Sequence, residues 1–105
     1  MACRLLTAED AEDDIDGIIG YMVNYLQSPA AASSIISKLE ACYGKVLSNP
    51  MMYPLCEDVF LSSKGYCKAA VDNYIVLYRL YGDDAAIISR VLYGRRNYAE
   101  IIYLS

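Results

Sequence analysis

Gly65-Tyr-Cys-Lys-Ala-Ala-Val-Asp-Asn-Tyr-Ile-Val-Leu-Tyr-Arg-Leu-Tyr-Gly-Asp-Asp-Ala-Ala-Ile-Ile-Ser-Arg-Val-Leu-Tyr-Gly-Arg-Arg-Asn-Tyr98 decides the fold. Three runs rich in Val, Ile, Leu and Tyr are parted by Asp72-Asn73 and by Gly82-Asp83-Asp84. β-Branched and aromatic residues suit a pleated, half-buried surface. Asx and Gly tolerate the positive φ of tight hairpin turns. The pattern predicts a three-stranded antiparallel meander carrying Lys68, Arg79 and Arg90, with Arg95 and Arg96 just beyond its last strand.

The chain before the meander reads as its cover. Ala2 to Leu6 is a short apolar run, an expected edge strand. Thr7 is placed to cap a helix from about Ala8 to about Gln27, with acids in its first turns and Ile15, Ile18, Ile19, Met22 and Leu26 at helical spacing. Ser28-Pro29 starts a second helix, Pro standing where a missing amide costs nothing. Ile35, Leu39, Cys42, Tyr43, Val46 and Leu47 stripe that helix, and Asn49-Pro50 ends it. Met51 to Ser63 is irregular, with Val59-Phe60-Leu61 a brief strand or a packed plug. Ala99 to Leu104 reads as a last helical turn or an extended tail. The expected class is α+β: an N-terminal strand and a two-helix hairpin packed on a C-terminal antiparallel three-stranded meander. Residues 1–105 are expected to form one domain.

Composition narrows the chemistry. The formal net charge is −4, unevenly spread. Residues 1–52 hold three cations against seven anions, and residues 53–105 hold six of each. A local positive site is compatible with this balance, but a long-range field drawing in RNA is not. Eleven Tyr and no Trp suit half-buried sheet faces and contact surfaces. There is no His, which excludes Ser-His-Asp and Cys-His nucleophile sets. Cys3, Cys42, Cys56 and Cys67 lack metal-binding spacing and read as small hydrophobes. Asp13 and Asp16 lie three apart on the first helix but have no third ligand nearby, so no metal and no cofactor are expected. With neither a leader pattern nor a membrane-length apolar run, a cytoplasmic chain with reduced thiols is expected.

Side chains alternate faces along a strand. On the middle strand Ile75, Leu77, Arg79 and Tyr81 share one face, and Tyr74, Val76, Tyr78 and Leu80 the other. On the last strand Ile88, Arg90 and Leu92 alternate with Ile87, Ser89, Val91 and Tyr93. Burying an unpaired Arg is costly. The Arg79 face is therefore expected to stay open, with Lys68, Arg79, Arg90 and Arg96 converging on it. Guanidinium groups bind phosphate bidentately and stabilise developing charge, and a nearby Tyr hydroxyl can relay a proton. The competing expectation is that these cations pair with carboxylates of the first helix or extend to water.

The chain resembles the RelE/ParE family of type II toxin–antitoxin toxins. The resemblance rests on Thr7-Ala-Glu-Asp-Ala-Glu-Asp-Asp-Ile-Asp-Gly-Ile-Ile-Gly-Tyr21, Leu47-Ser-Asn-Pro-Met51 and Ser63-Lys-Gly-Tyr-Cys-Lys68. It rests most specifically on Asn73-Tyr-Ile-Val-Leu-Tyr-Arg79 and Ile88-Ser-Arg-Val-Leu-Tyr-Gly-Arg-Arg-Asn-Tyr98. It implies a growth-inhibiting toxin bound by a cognate antitoxin in a hetero-oligomer. RelE-like members cut ribosome-bound mRNA by driving a 2′-hydroxyl onto the adjacent phosphate. ParE-like members are understood to poison DNA gyrase without that catalytic set. Carried over, Lys68 matches a strand cation, Arg96 the Arg after the closing strand, and Tyr98 or Tyr103 the C-terminal Tyr. Arg79 and Arg90 match positions common in this branch.

The expected activity is ribosome-dependent mRNA cleavage, with Lys68, Arg79, Arg90, Arg96 and Tyr98 as candidate catalytic residues. The alternatives are a gyrase poison and a degenerate member that mainly binds its antitoxin. Two departures weigh against cleavage. The chain is acidic where ribosome cutters are basic, and Tyr93 stands where some members use a His.

Overall fold

The computed structural model describes residues 4–49, 53–82 and 84–94. Its elements are β1 (Arg4–Thr7), α1 (Glu9–Gly20), a π-helical turn (Tyr21–Tyr25), α2 (Pro29–Ser48), α3 (Val59–Ser63), β2 (Tyr66–Val71), β3 (Tyr74–Tyr81) and β4 (Ala85–Tyr93). The sheet order is β1-β4-β3-β2. The three C-terminal strands form the expected antiparallel meander, and β1 lies parallel to β4 at one edge.

Local chemistry explains most boundaries. Asp72, at φ 53°, turns β2 into β3, and Gly82, at φ 66°, begins the turn into β4. Ser28 caps α2, its Oγ accepting from the Ala31 amide at 3.2 Å, with Pro29 following as expected. Thr7, by contrast, is not a cap. It is the last residue of β1, opposite Ile88, and the capping position falls to Ala8, which offers no side-chain acceptor. The Ala8 amide instead donates to Ile88 O at 2.9 Å, carrying the ladder one residue further.

The first helix also ends differently from the periodic expectation. After Gly20 it widens by one residue, the Leu26 amide donating to Tyr21 O at 3.0 Å, five residues back. Gln27, at φ 52°, then reverses the chain. The apolar period continues through Leu26 and so gives no warning of this.

Val59-Phe60-Leu61 is helical, not a strand. Asp58 caps α3 by accepting from the Leu61 amide at 3.0 Å, and Leu61 plugs the sheet face below.

The sheet is covered on both sides. Ala11 of α1 and Ile35, Leu39, Cys42 and Val46 of α2 bury one face, against Val76 and Tyr78 of β3 and Val91 of β4. On the other face Leu61 and Cys56 pack on Leu77 and Leu92, with Phe60, Tyr66 and Ile75 around them. The face carrying Leu77 and Arg79, expected to be open, is therefore roofed in part by α3. Leu77 needs that roof, since a full-length Leu burial is worth about 1.5–3 kcal/mol.

The expected alternation holds on β3 and breaks on β4. Leu77 pairs with Arg90, but Tyr78 pairs with Ile88, so Ser89 is an extra residue in a β-bulge. The bulge reverses the facing of everything after it. Ile88 shares the helix-side core with Val91, while Leu92 faces α3. Ile88, Arg90 and Leu92 do not form one face.

Candidate functional site

The cations expected to cluster are separated by the fold. Arg90 follows the bulge and reaches to α1. Its Nε donates to Asp14 Oδ2 at 2.7 Å and its Nη2 to Asp14 Oδ1 at 2.9 Å. Asp14 Oδ2 also accepts from the Val91 amide at 3.0 Å. β1 ends opposite Ile88, so past that point no strand among the described residues lines the outer edge of β4, and a carboxylate from α1 takes that place. Only 18% of the Arg90 side chain and 14% of the Asp14 side chain are exposed. The Asp14 hydrogen bonds raise the Arg90 pKa against the opposing cost of burial, with smaller help from the charges of Asp14 and Asp10.

Arg79 lies opposite Tyr66 on β2, its guanidinium carbon 5.3 Å from the Tyr66 ring centre. This is cation–π range. Lys68 lies opposite Leu77, and its amide donates to Pro54 O at 3.2 Å, tying the 54–56 segment to the β2 edge. Leu77 is fully buried and stands between Lys68 and Arg90 on one rung. Two strand spacings put those backbones roughly 10 Å apart. The expected convergence of Lys68, Arg79 and Arg90 is thus replaced by an ion pair from the β4 edge to α1, a ring stack against β2 and an edge-strand lysine. Arg96, Tyr98 and Tyr103 lie outside the described residues, as does the expected C-terminal turn or tail.

The buried tyrosines face thiols. Desolvation raises the pKa of Tyr78 and of Cys67, which share a hydrogen bond, and Cys42 is paired with Tyr53 in the same way. Burial pushes Tyr43 up to about 12. None of these groups is set up to ionise near neutrality, so they read as core. Among the described residues no group of three or more His, Cys, Asp or Glu is placed to hold a metal.

A groove of about 720 Å³ between α1 with its π-turn and the far end of β3 and β4 was not legible in the sequence. Ile18, Met22 and Val91 contribute apolar surface, Asp13 lies on its acidic side, and Tyr21 and Tyr93 are partly exposed beside it. Tyr21 stacks on Tyr25 with ring centres 5.0 Å apart, a contact made across the widened turn. The hint in the sequence was Tyr21 and Tyr25 at the end of an otherwise amphipathic helix.

Comparison with known proteins places this architecture. A chain of the chromosomal ParDE toxin–antitoxin system from P. aeruginosa is similar, with TM-score 0.69, 17% identity, and 88% of this chain and 96% of that chain covered. A chain of the E. coli DinJ–YafQ toxin–antitoxin complex is also similar, with TM-score 0.59, 15% identity, and 89% and 93% covered. At these identities the likeness is one of fold. No curated protein matches the chain. The model of the ParE toxin of the type II toxin–antitoxin system, parDE, matches residues 5–98. Since that match spans nearly the whole sequence, the chain belongs to the ParE toxin family of type II toxin–antitoxin systems.

Proposed function

We propose that this toxin arrests growth by binding and poisoning DNA gyrase, not by cutting RNA. The observation that carries the reading is the Asp14–Arg90 pair. A phosphate clamp needs a guanidinium whose charge is not already matched by a carboxylate. Here two Arg90 donors are committed to a carboxylate that would itself repel a phosphate. The net charge of −4 adds a field unfavourable to RNA. As a type II toxin the chain has an antitoxin partner, and the toxin–antitoxin hetero-oligomer is part of this proposal. Among the described residues no helix is long and apolar enough to cross a membrane.

Ribosome-dependent mRNA cleavage is the second reading. It is favoured by the Arg79–Tyr66 stack on the sheet face that also carries Lys68, with Arg96 and Tyr98 as its remaining candidates. One paired experiment decides between them. Purified toxin is added to gyrase and supercoiled DNA, and RNA 5′ ends are sequenced after induced expression. Trapped gyrase–DNA cleavage complexes with unaltered mRNA ends are expected. New mRNA ends in translated regions with gyrase unaffected would overturn the proposal.

A further inference from the structure

We infer that the groove beside α1 is a binding site for an elongated organic cation of the polyamine class, with an ammonium at each end of a methylene chain. The groove attracts positive charge at two separate places and is apolar between them.

The first place is Asp13. Three carboxylates border the groove. Asp14 is held by Arg90 and Asp72 by Lys38, whereas Asp13 is exposed and makes no ion pair among the described residues. The second place is a set of tyrosine rings, Tyr21, Tyr74 and Tyr93. Tyr74 and Tyr93 meet edge to face with ring centres 6.0 Å apart. Burial raises the Tyr74 pKa, and the proximity of Tyr21 and Tyr93 adds to it, so the three phenols stand together. Ring faces attract ammonium groups, the more so where water is partly excluded.

The spacing selects the ligand. Asp13, Gly17 and Tyr21 follow one another at four-residue steps from α1 into the π-turn, and all three line the groove. Eight residues of helix advance about 12 Å. A short single-headed cation engages one end only, whereas a chain of that span with two ammonium groups engages both. Gly17 keeps the path between the ends clear, because a Cβ at this position would meet no heavy atom within 4 Å. Ile18, Met22 and Val91 offer apolar surface to the methylenes, as lysine stems find on protein surfaces. The volume of about 720 Å³ falls in the range of small-molecule sites. The inference does not depend on whether the toxin acts on gyrase or on RNA.

The test titrates the full chain at physiological salt, where diffuse surface attraction is screened, and follows backbone amide shifts by NMR. The probes are spermidine, octamethylenediamine and, as the single-headed control, butylamine. The two longer amines should bind saturably, shift residues 13–26, 72–74 and 91–93, and bind about tenfold tighter than butylamine. Asp13→Asn should weaken binding about fivefold. Asp16→Asn, at an exposed acid of α1 that does not line the groove, should leave it unchanged. Tyr21→Leu should weaken it about threefold, and Tyr21→Phe should keep it, since the ring face is what attracts. Gly17→Leu should keep the helix, which gains from losing a glycine, and abolish binding by filling the groove. Shifts that do not saturate, equal weakening by Asp13→Asn and Asp16→Asn, or binding undiminished in Gly17→Leu or Tyr21→Leu would overturn the inference. So would the same shifts on raising protein concentration without amine, which would make a second copy the occupant.

Discussion

Asp14 and Arg90, 76 residues apart in sequence, form a two-point ion pair that joins α1 to the last strand. The same carboxylate satisfies the Val91 amide where β1 has run out. One side chain thus replaces both a counter-ion and a strand.

Truncating it should be costly. Asp14→Ala leaves a mostly buried guanidinium and a backbone donor without partners. The expected loss is about 3 kcal/mol, near the lower bound for breaking a buried pair. Asp14→Asn should lose less, since its amide oxygen can still accept from Val91. Urea denaturation of the three proteins, compared at equal m-value, measures the order.

The role of Arg90 can be separated from its structural duty. A matched Asp14→Asn/Arg90→Met variant removes both charges and keeps the Val91 acceptor. Replacing a buried ion pair by groups of similar volume is often near neutral. The double variant is expected to stay within about 1 kcal/mol of the parent and still to arrest growth. A folded double variant that no longer arrests growth would place Arg90 in the toxic chemistry.

Tyr43 offers a stabilising change. Among the described residues its buried hydroxyl has no hydrogen-bond partner. Removing an unsatisfied buried polar group while keeping the ring recovers its desolvation cost, about 1 kcal/mol. Tyr43→Phe should raise the Tm by roughly 4–8 °C for a domain of this size, as measured by calorimetry.

Alkaline pH should unfold the protein earlier than its acids and bases alone suggest. Burial raises the pKa of Cys42, Cys56 and Cys67 above 9.0 and of Tyr43 from 10.0 to about 12. A folded-state pKa above the unfolded value means the native state holds its proton more tightly. That stability is complete below the unfolded pKa and is lost as pH rises through the folded one. Stability should therefore decline from about pH 8, where thiols of the unfolded chain, with an ordinary pKa of about 8.5, begin to ionise. The tyrosine contribution should fall away between pH 10.0 and about 12. A Tyr43→Phe curve that is flatter over this upper range is the expected result.

What the sequence disclosed, and what it hid, follows the reach of each signal. Ser28-Pro29, Asn49 and the Asp72 and Gly82 turns act within a few residues, so the α2 boundaries and the meander were legible. The parity reversal at Ser89 was not. Nothing in Ile-Ile-Ser-Arg-Val marks an extra residue, because the bulge is set by how β4 meets β3. Thr7 satisfied the capping rule locally, but pairing with Ile88 kept it in the strand. The Asp14–Arg90 pair was among the alternatives, yet choosing that acid from a run of several required the helix in place. The groove beside α1 depends on the π-turn, which apolar spacing does not encode.

The parallel pairing of β1 with β4, Arg4 beside Ala85, has a bearing on how the cell makes this protein. β1 leaves the ribosome with no neighbour, and among the described residues its strand partner is β4, the last of the four to be synthesised. Until then the incomplete chain has a sheet missing the strand that both β1 and α1 lean on. A product truncated before Ala85 is therefore expected to lack both the β1 pairing and the Asp14–Arg90 anchor.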